Sequence, residues 1–377
     1  MSKKRLVIVT LTLFAIIGLV FWVLYFYSIW DKPLGPSLQG VSSGQSLTGS
    51  DQPTTSTGQP VPSPEQLQTP VFLFTPAQFS TQEQANQPQP LCGDVPVLTV
   101  LAIGIDFRGE GYLYGLADVI KIARIDFTTH KVSVLTLDRG IWVEIPGISD
   151  HYGITHGMLN QSYFFGVPAM GYYDGPGGGA GLLAQTLKRN FDLNVDNYVV
   201  VDFTAFVKFV DAIGGIDVYL PEPVDGNVPP DGSTTRGEGN YYSAGTHHLS
   251  GMQALNLARI RYGYSTLDRD RNQDTIIKAI YAKITSPEII LRIPKILEAF
   301  KNAGLTDLSP RQIEDLVCLV QKMNSTDLSM KAIPDEYYVY DWIYSEYMKQ
   351  DVNIWNIDFN IFRYYIDAFR KDQWPQE

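Results

Sequence analysis

The sequence predicts an α/β protein, an α/β/α sandwich with a mixed central sheet, preceded by one transmembrane helix and a disordered tether. Three observations carry that prediction. An uncharged apolar run fills residues 6–30. Beyond about residue 93, strand-like and helix-like segments alternate, the pattern that lays helices against a sheet. One link between neighbouring strand-like segments is the short TTH, hairpin-like, so the sheet is not purely parallel.

At the amino terminus, Lys3, Lys4 and Arg5 precede LVIVTLTLFAIIGLVFWVLYFYSIW. That run exceeds the roughly 20 residues needed to cross a bilayer. Trp22, Tyr25, Tyr27 and Trp30 crowd its far end, as an interfacial aromatic belt does. A cleaved signal peptide has an apolar region of about 7 to 15 residues ending in small residues, and neither feature is present. Residues 1–30 are therefore read as a cytoplasmic stub and signal anchor. The expected location is the cell membrane, single-pass, with the amino terminus cytoplasmic and the remainder outside. Residues 31–92, rich in Pro, Ser, Thr and Gln, bury too little apolar surface to order themselves and read as a flexible linker. The folded domain is placed at 93–335, followed at 336–377 by an aromatic-rich helical extension with helical spacing in IDFNIFRYYIDAFRK.

Within the domain, VPVLTVLAIGID (95–106) is a buried strand ending in a carboxylate, and VIKIARIDF and KVSVLTL are the second and third strands. GLLAQTLKRNF (181–191) is a helix and NYVVVDF (197–203) a strand. TAFVKFVDAI is a helix stopped by Gly214 and Gly215 before the strand IDVYL. Ser250 with Gln253 forms a capping-box signature, so a helix over about 251–257 feeds directly into LARIRYGYSTLDRDRNQD (257–274). A further helix is expected from near Thr275. Ser309, Pro310 and Gln312 stand at the N-cap, N1 and N3 positions of another. Cys92 and Cys318 either bridge the start of the domain to its carboxy-terminal part or stay as two buried thiols.

A formal net charge of -11 argues against nucleic acid as a partner, since phosphate recognition needs a basic face. A local basic cleft is still compatible with that balance. Asp106 closes the first strand, Arg108 follows it, Asp118 opens the second and Arg139 follows the third. Ligands of open α/β sheets bind at strand carboxyl ends. Carboxylates suit Mg2+, which takes one or two of them together with substrate phosphates. Guanidinium groups recognise phosphate bidentately. Arg259 and Arg261 flank apolar Ile260, and an extended segment would put both on one face. Arg269 and Gln273 share a face on a helix. The plainer reading has Asp268, Asp270 and Asp274 pairing with these arginines at the surface.

Other candidates are weaker. DGPGGGAG (174–181) lacks the Lys-Ser/Thr of a P-loop and reads as a flexible loop. His247 and His248 are adjacent rather than at zinc-ligand spacing. No G-x-S-x-G elbow is present. Asn160 either orients a ligand or caps a turn.

From about residue 98 to 332 the segments IGIDFR, ADVIKIARID, SVLTLDRGIWVEIPG, HGMLNQSYFFG, NYVVVDFTAFVKFVDAIGGIDVYL and GTHHLSGMQALNLARIRY follow in order. In that order, behind an anchor and a tether, they resemble the motifs of the LytR-CpsA-Psr envelope proteins, with 269–273 in the place of the family's R-x-x-R-Q. The resemblance implies a Mg2+-dependent enzyme that transfers a glycopolymer from a polyprenyl-pyrophosphate carrier to a peptidoglycan hydroxyl through a phosphodiester. It implies that Asp106 and Asp118 hold Mg2+, with Asp106 a candidate base. Arg139, Arg259, Arg261 and Arg269 would bind the pyrophosphate, supported by Arg108 and Gln273. Asp118, Arg139 and Arg261 join Asp106 as the expected catalytic set. Two departures stand out. The family's Pro-Arg-Asp is Asp138-Arg139-Gly140, and its second arginine is replaced by Asn272, with Arg271 one residue earlier and facing elsewhere. They bear on efficiency or substrate choice. The alternatives are a pyrophosphatase that releases the carrier without transfer, and a non-enzymatic module binding anionic lipid or wall polymer. A transcriptional role fits poorly with a domain outside the membrane.

Overall fold

Val97–Ile105 forms strand β1, whose β-branched side chains alternate between two buried environments. Leu101, Ile103 and Ile105 join one core, while Leu98 and Val100 join another on the opposite face. The computed structural model describes residues 33–38, 89–107, 115–226, 241–260, 266–292, 295–296, 299, 304–324 and 326–375. The anchor proposed at 6–30 and most of the 31–92 linker lie outside these residues. Among the described residues no helix is long and apolar enough to cross a membrane.

Strands β2 (Ala117–Asp126) and β3 (Lys131–Thr136) extend the sheet as an antiparallel hairpin. Its turn is fixed by Asp126, whose Oδ1 accepts the Thr128 and Thr129 backbone N–H groups at 3.0 and 2.9 Å. β6 (Asn197–Val201) runs parallel to β1, β11 (Gly304–Thr306) antiparallel to β6, and β12 (Leu328–Ala332) parallel to β3, so the sheet has six strands in the order β11-β6-β1-β2-β3-β12. It mixes parallel and antiparallel pairs, so the expected mixed α/β fold is present. Apart from it, β4 (Trp142–Glu144) pairs with β5 (His156–Met158), and β8 (Val224–Asp225) with β9 (Tyr241–Tyr242).

Helices α1 (Leu159–Gly166) and α2 (Gly178–Phe191) pack closely beside the first core. The glycine-rich stretch read as a loop supplies that approach. A Cβ on Gly166 would lie 2.7 Å from the Gly178 carbonyl oxygen, and one on Gly179 would lie 2.8 Å from the Tyr163 oxygen. Helix α2 thus begins at Gly178, one turn earlier than its apolar periodicity suggests.

Helix α3 (Phe203–Ala212) is capped by Asp202 and ends at Gly214 and Gly215, both at positive φ. It shares a smaller core with β7 (Ile216–Leu220), β10 (Gly245–Leu249) and α4 (Gly251–Arg259). Both Ser250–Gln253 and Ser309–Gln312 form reciprocal capping boxes, the second opening α6 (Pro310–Val320). The helix expected from Thr275 begins at Thr266 and runs to Ile284, labelled α5. Asp268, Asp270 and Asn272 are poor helix formers in isolation, but burial of Arg269, Asp270 and Gln273 holds the first turns against the sheet.

Residues 33–38, inside the segment read as linker, pack on the domain. Leu38 is buried in the first core and donates its N–H to Asp307 Oδ2 at 3.1 Å, while Tyr198 Oη donates to the Pro36 carbonyl at 2.9 Å. The carboxy-terminal part is half sheet. Strands β13 (Val339–Ser345) and β14 (Gln350–Asn356) form a hairpin before the expected helix, α7 (Phe359–Arg370). The aromatic residues that suggested helix there also favour strands, and their spacing is two over 340–344.

Cys92 and Cys318 form a disulfide, with Cα atoms 5.9 Å apart, settling the choice left open by the sequence. It joins the segment leading into β1 to α6 at the second core. Replacing both cysteines by serine is expected to lower stability by about 2–5 kcal/mol, read as a lower urea midpoint that reductant reproduces in the native chain.

Candidate functional site

The strand that begins at Ala117 carries its site residue through an irregularity. Gly104 pairs with Val119 and Ile105 with Ala117, so Asp118 is the extra residue of a β-bulge. A bulge breaks the in/out alternation and re-aims one side chain. Asp118 therefore leaves the pleat while Ala117 and Ile120 stay in the core.

Arg139 stands in the turn after β3, and that turn is tied down on both sides. Leu137 donates its N–H to the Ile120 carbonyl at 3.1 Å, and Asn160 of α1 donates to the Arg139 carbonyl at 3.1 Å. Asp138 is fully buried, and its Oδ1 accepts the Gly140 N–H at 2.6 Å, closing the turn. The extra acid is thus a structural cap. Arg139 Nη1 then donates to Asp118 Oδ1.

Helix α5 brings the second guanidinium. Arg269 is 4% exposed, donates from Nη2 to the Asp118 carbonyl at 3.1 Å and approaches Asp118 Oδ2 at 3.7 Å through Nη1. Burial, together with the Arg139 charge, lowers its pKa, an effect that Asp118 opposes. One carboxylate therefore holds two guanidinium groups side by side, positions that like charges would otherwise avoid.

Behind this pair lies a buried polar layer that sequence reading passed over. Lys121, 2% exposed, donates to Thr136 Oγ1 at 2.8 Å and to Asp274 Oδ1 at 2.6 Å. Its signal was a lysine on a core-facing position of an apolar strand. Asp270, beside it, is pushed up to about 7 by burial first, with Asp138 and Asp274 adding to the rise and Lys121 and Arg269 opposing it. Tyr338 is buried against Asp138 and Asp270, and burial raises its phenol well above the usual range.

The raised Asp270 gives a prediction. The folded state binds more protons than the unfolded chain between about pH 4 and 7, so this group's stabilising contribution is complete below about 3.8 and is lost as pH rises through 7. Asp270→Asn is therefore expected to raise the melting temperature relative to the native chain at pH 8, by a free energy on the order of a few kcal/mol. The difference should vanish near pH 4 in paired thermal melts; an unchanged difference across that range contradicts the assignment.

Polar atoms without partners concentrate here. Seven buried side-chain atoms lack a hydrogen bond among the described residues, and five belong to Asp138, Asn160, Arg269, Asp270 and Gln273. Native interiors leave few such atoms. Arg269 Nε is a free donor suited to an anion, and the Gln273 and Asn160 oxygens accept. Asp106, exposed at the end of β1, uses Oδ1 to accept the Leu116 N–H at 2.8 Å, and Oδ2 makes no such bond among the described residues.

Other sequence candidates are placed differently. Arg108 and Arg261 lie outside the described residues. Arg259 is not in an extended segment: it ends α4, is exposed, and sets its guanidinium 5.1 Å from the centre of the Phe203 ring. The capping box extends the helix through it. Arg271 is exposed and pairs with Asp268 and Asp335, while Asn272 Nδ2 donates to the Ile260 carbonyl at 3.3 Å. The surface-pairing reading thus holds for Arg271 and not for Arg269. A groove of about 960 Å3 between Trp142, His156, Asn190 and Arg363 contains none of the predicted site residues.

For Mg2+, the donor set is compatible in kind: two carboxylates at adjoining strand ends beside guanidinium groups, the side chains that suit phosphate oxygens. Among the described residues no group of three or more His, Cys, Asp or Glu could hold a metal. An ion here would need phosphate oxygens to complete its shell, the usual situation for Mg2+.

The sequence model of the LytR_cpsA_psr family matches residues 77–358. "Regulatory protein MsrR" of Staphylococcus aureus is 28% identical over 56% of this chain and 57% of its own length. The chain thus spans little more than half the length of the staphylococcal relatives it matches. "Polyisoprenyl-teichoic acid--peptidoglycan teichoic acid transferase TagU" of Oceanobacillus iheyensis is 29% identical over 63% of this chain and 66% of its own. In fold, the chain is similar to B. subtilis TagV, with a TM-score of 0.57 at 19% identity over 74% of this chain and 98% of the other.

Proposed function

The chain belongs to the LytR-CpsA-Psr family, and from that premise we propose that it is a membrane-anchored phosphotransferase. It moves a glycopolymer from a polyprenyl-pyrophosphate carrier to peptidoglycan through a phosphodiester bond. The observation that carries the proposal is the pair of guanidinium groups on Asp118, with the unpartnered Nε of Arg269 beside them. In this reading the α/β/α domain stands outside the membrane on the anchor at 6–30. The transferase name of the Oceanobacillus relative supports the class of reaction.

Phosphoryl transfer depends mainly on positioning and charge neutralisation. Arg139 and Arg269 bind pyrophosphate oxygens, and Arg108, Arg259, Arg261 and Gln273 are the remaining candidates for that role. Asp118 fixes the two guanidinium groups before substrate arrives, and with Asp106 it would hold Mg2+, which neutralises charge on the pyrophosphate when bound. An acceptor sugar hydroxyl forms a bond to the glycan-bearing phosphorus. The bond from that phosphorus to the bridging oxygen breaks, and polyprenyl monophosphate leaves with that oxygen. The hydroxyl proton passes to a base, for which Asp106 is the exposed carboxylate at hand.

A pyrophosphatase would use the same centre with water in place of the hydroxyl, and a binding module would do neither. Product analysis separates them. Full-length chain is incubated with a radiolabelled carrier-linked glycan, Mg2+ and peptidoglycan. Transfer yields equal amounts of carrier monophosphate and wall-linked phosphodiester; hydrolysis yields free glycan phosphate without peptidoglycan. Absence of carrier cleavage refutes both enzymatic readings.

A further inference from the structure

The β13–β14 hairpin turns its aromatic side outward. Val352 and Ile354 are buried on one side, whereas Tyr340, Trp342 and Tyr344, spaced by two on the opposite side, are 58%, 59% and 50% exposed. The solvated face of an antiparallel ribbon is ordinarily polar, and an exposed apolar patch usually marks a contact surface. Tyr340 and Trp342 have ring centres 6.4 Å apart and stand edge-on at 88°. On the neighbouring strand Asn353 pairs in register with Trp342, and Asp351 with Tyr344. Rings therefore alternate with amide and carboxylate groups over one face.

That face leads to the candidate site. Trp355, in register with Tyr340, donates its N–H to the Gly140 carbonyl at 2.9 Å, immediately after Arg139. A Cβ on Gly140 would lie 3.2 Å from Asp138 Oδ1 and 3.4 Å from Trp355 Cδ1. Glycine at the position where the related motif has an acid thus lets the hairpin seat against the Arg139 turn.

Charge decides the occupant. Between Val339 and Asn356 the chain carries Asp341, Glu346 and Asp351 against Lys349 alone, and that lysine pairs with Glu346. An anionic polymer or phospholipid surface would be repelled. Flat rings beside the Asn353 amide and the Asp351 carboxylate, both hydrogen-bonding groups, suit the alternating CH faces and hydroxyls of an uncharged sugar chain. We propose that Tyr340, Trp342 and Tyr344 form a docking surface for a neutral aminosugar strand, which delivers an acceptor hydroxyl toward Arg139. The acceptor role rests on the transferase reading; the binding does not.

The probe is a hexamer of N-acetylglucosamine, titrated into full-length protein and followed by tryptophan fluorescence and calorimetry. The native chain is expected to bind it, and Trp342→Ala to bind about tenfold or more weakly, with Trp342→Phe intermediate and all three melting alike. In the transfer assay Trp342→Ala should raise KM for acceptor and leave that for the carrier-linked donor unchanged. Equal hexamer affinity in the native chain and Trp342→Ala, or binding to anionic vesicles that Trp342→Ala abolishes, overturns the proposal. Hexamer binding lost on Trp342→Ala in a chain that cleaves no carrier leaves the surface standing and refutes the transferase reading alone.

Discussion

Asp118→Asn is expected to lower glycan transfer by about 10²–10³-fold while the chain keeps its fold. The substitution preserves the shape of the bulged side chain and removes the charge that holds Arg139 and Arg269 together. Both arginines then face each other with less compensation, and an incoming pyrophosphate supplies the missing negative charge. Donor binding without Mg2+ should therefore be unchanged or tighter, while the gain that Mg2+ adds falls together with turnover. Calorimetry and steady-state kinetics with varied donor check this: a lower kcat and a smaller Mg2+ effect on donor binding are expected. A higher KM with unchanged kcat would make Asp118 a binding residue only.

Arg269→Ala is expected to damage both stability and activity. Its guanidinium is 4% exposed and sits among Asp118, Asp138 and Asp270, so removal leaves buried carboxylates without their cation. Breaking such a buried arrangement costs about 3–5 kcal/mol, read as a lower urea midpoint, and transfer should fall by at least about 10²-fold. Arg269→Lys retains a charge but not the planar fork that reaches the Asp118 carbonyl and carboxylate together. It should recover part of the stability and little activity. Arg271→Ala, two residues away, removes an exposed arginine paired with Asp268 and Asp335; it should change stability by no more than about 1 kcal/mol.

The difference between Arg269 and Arg271 shows where the sequence was legible. Helical spacing put Arg269 and Gln273 on one face, and both are buried there. Strand periodicity located β1, β2, β3, β6 and β7, and reciprocal side-chain caps located α4 and α6. Composition could not show that α5 begins at Thr266, because its first turns are held by tertiary burial of polar residues rather than by propensity. Arg259 was misplaced for a related reason: alternation over three residues suggests a strand, but the cap at Ser250 carries the helix through it. The bulge at Asp118 depends on register between strands, and the Lys121–Thr136–Asp274 layer depends on helix α5 crossing the sheet. Neither leaves a local signature beyond a lysine at a core position.

The departure at Asp138-Arg139-Gly140 takes a structural meaning that motif comparison does not supply. Asp138 closes the turn that presents Arg139, and Gly140 receives the Trp355 edge of the hairpin. The arginine itself keeps its place on Asp118.

Binding without chemistry tests whether Asp118, Arg139 and Arg269 form the proposed pyrophosphate cradle. Calorimetry with a short isoprenyl pyrophosphate and the matching monophosphate is run on full-length chain, with and without Mg2+. The pyrophosphate is expected to bind more tightly than the monophosphate, Mg2+ to strengthen that binding, and Arg139→Ala to weaken it about tenfold or more. Equal affinity for the two phosphates, or an Arg139→Ala variant that binds pyrophosphate as the native chain does, would contradict the cradle.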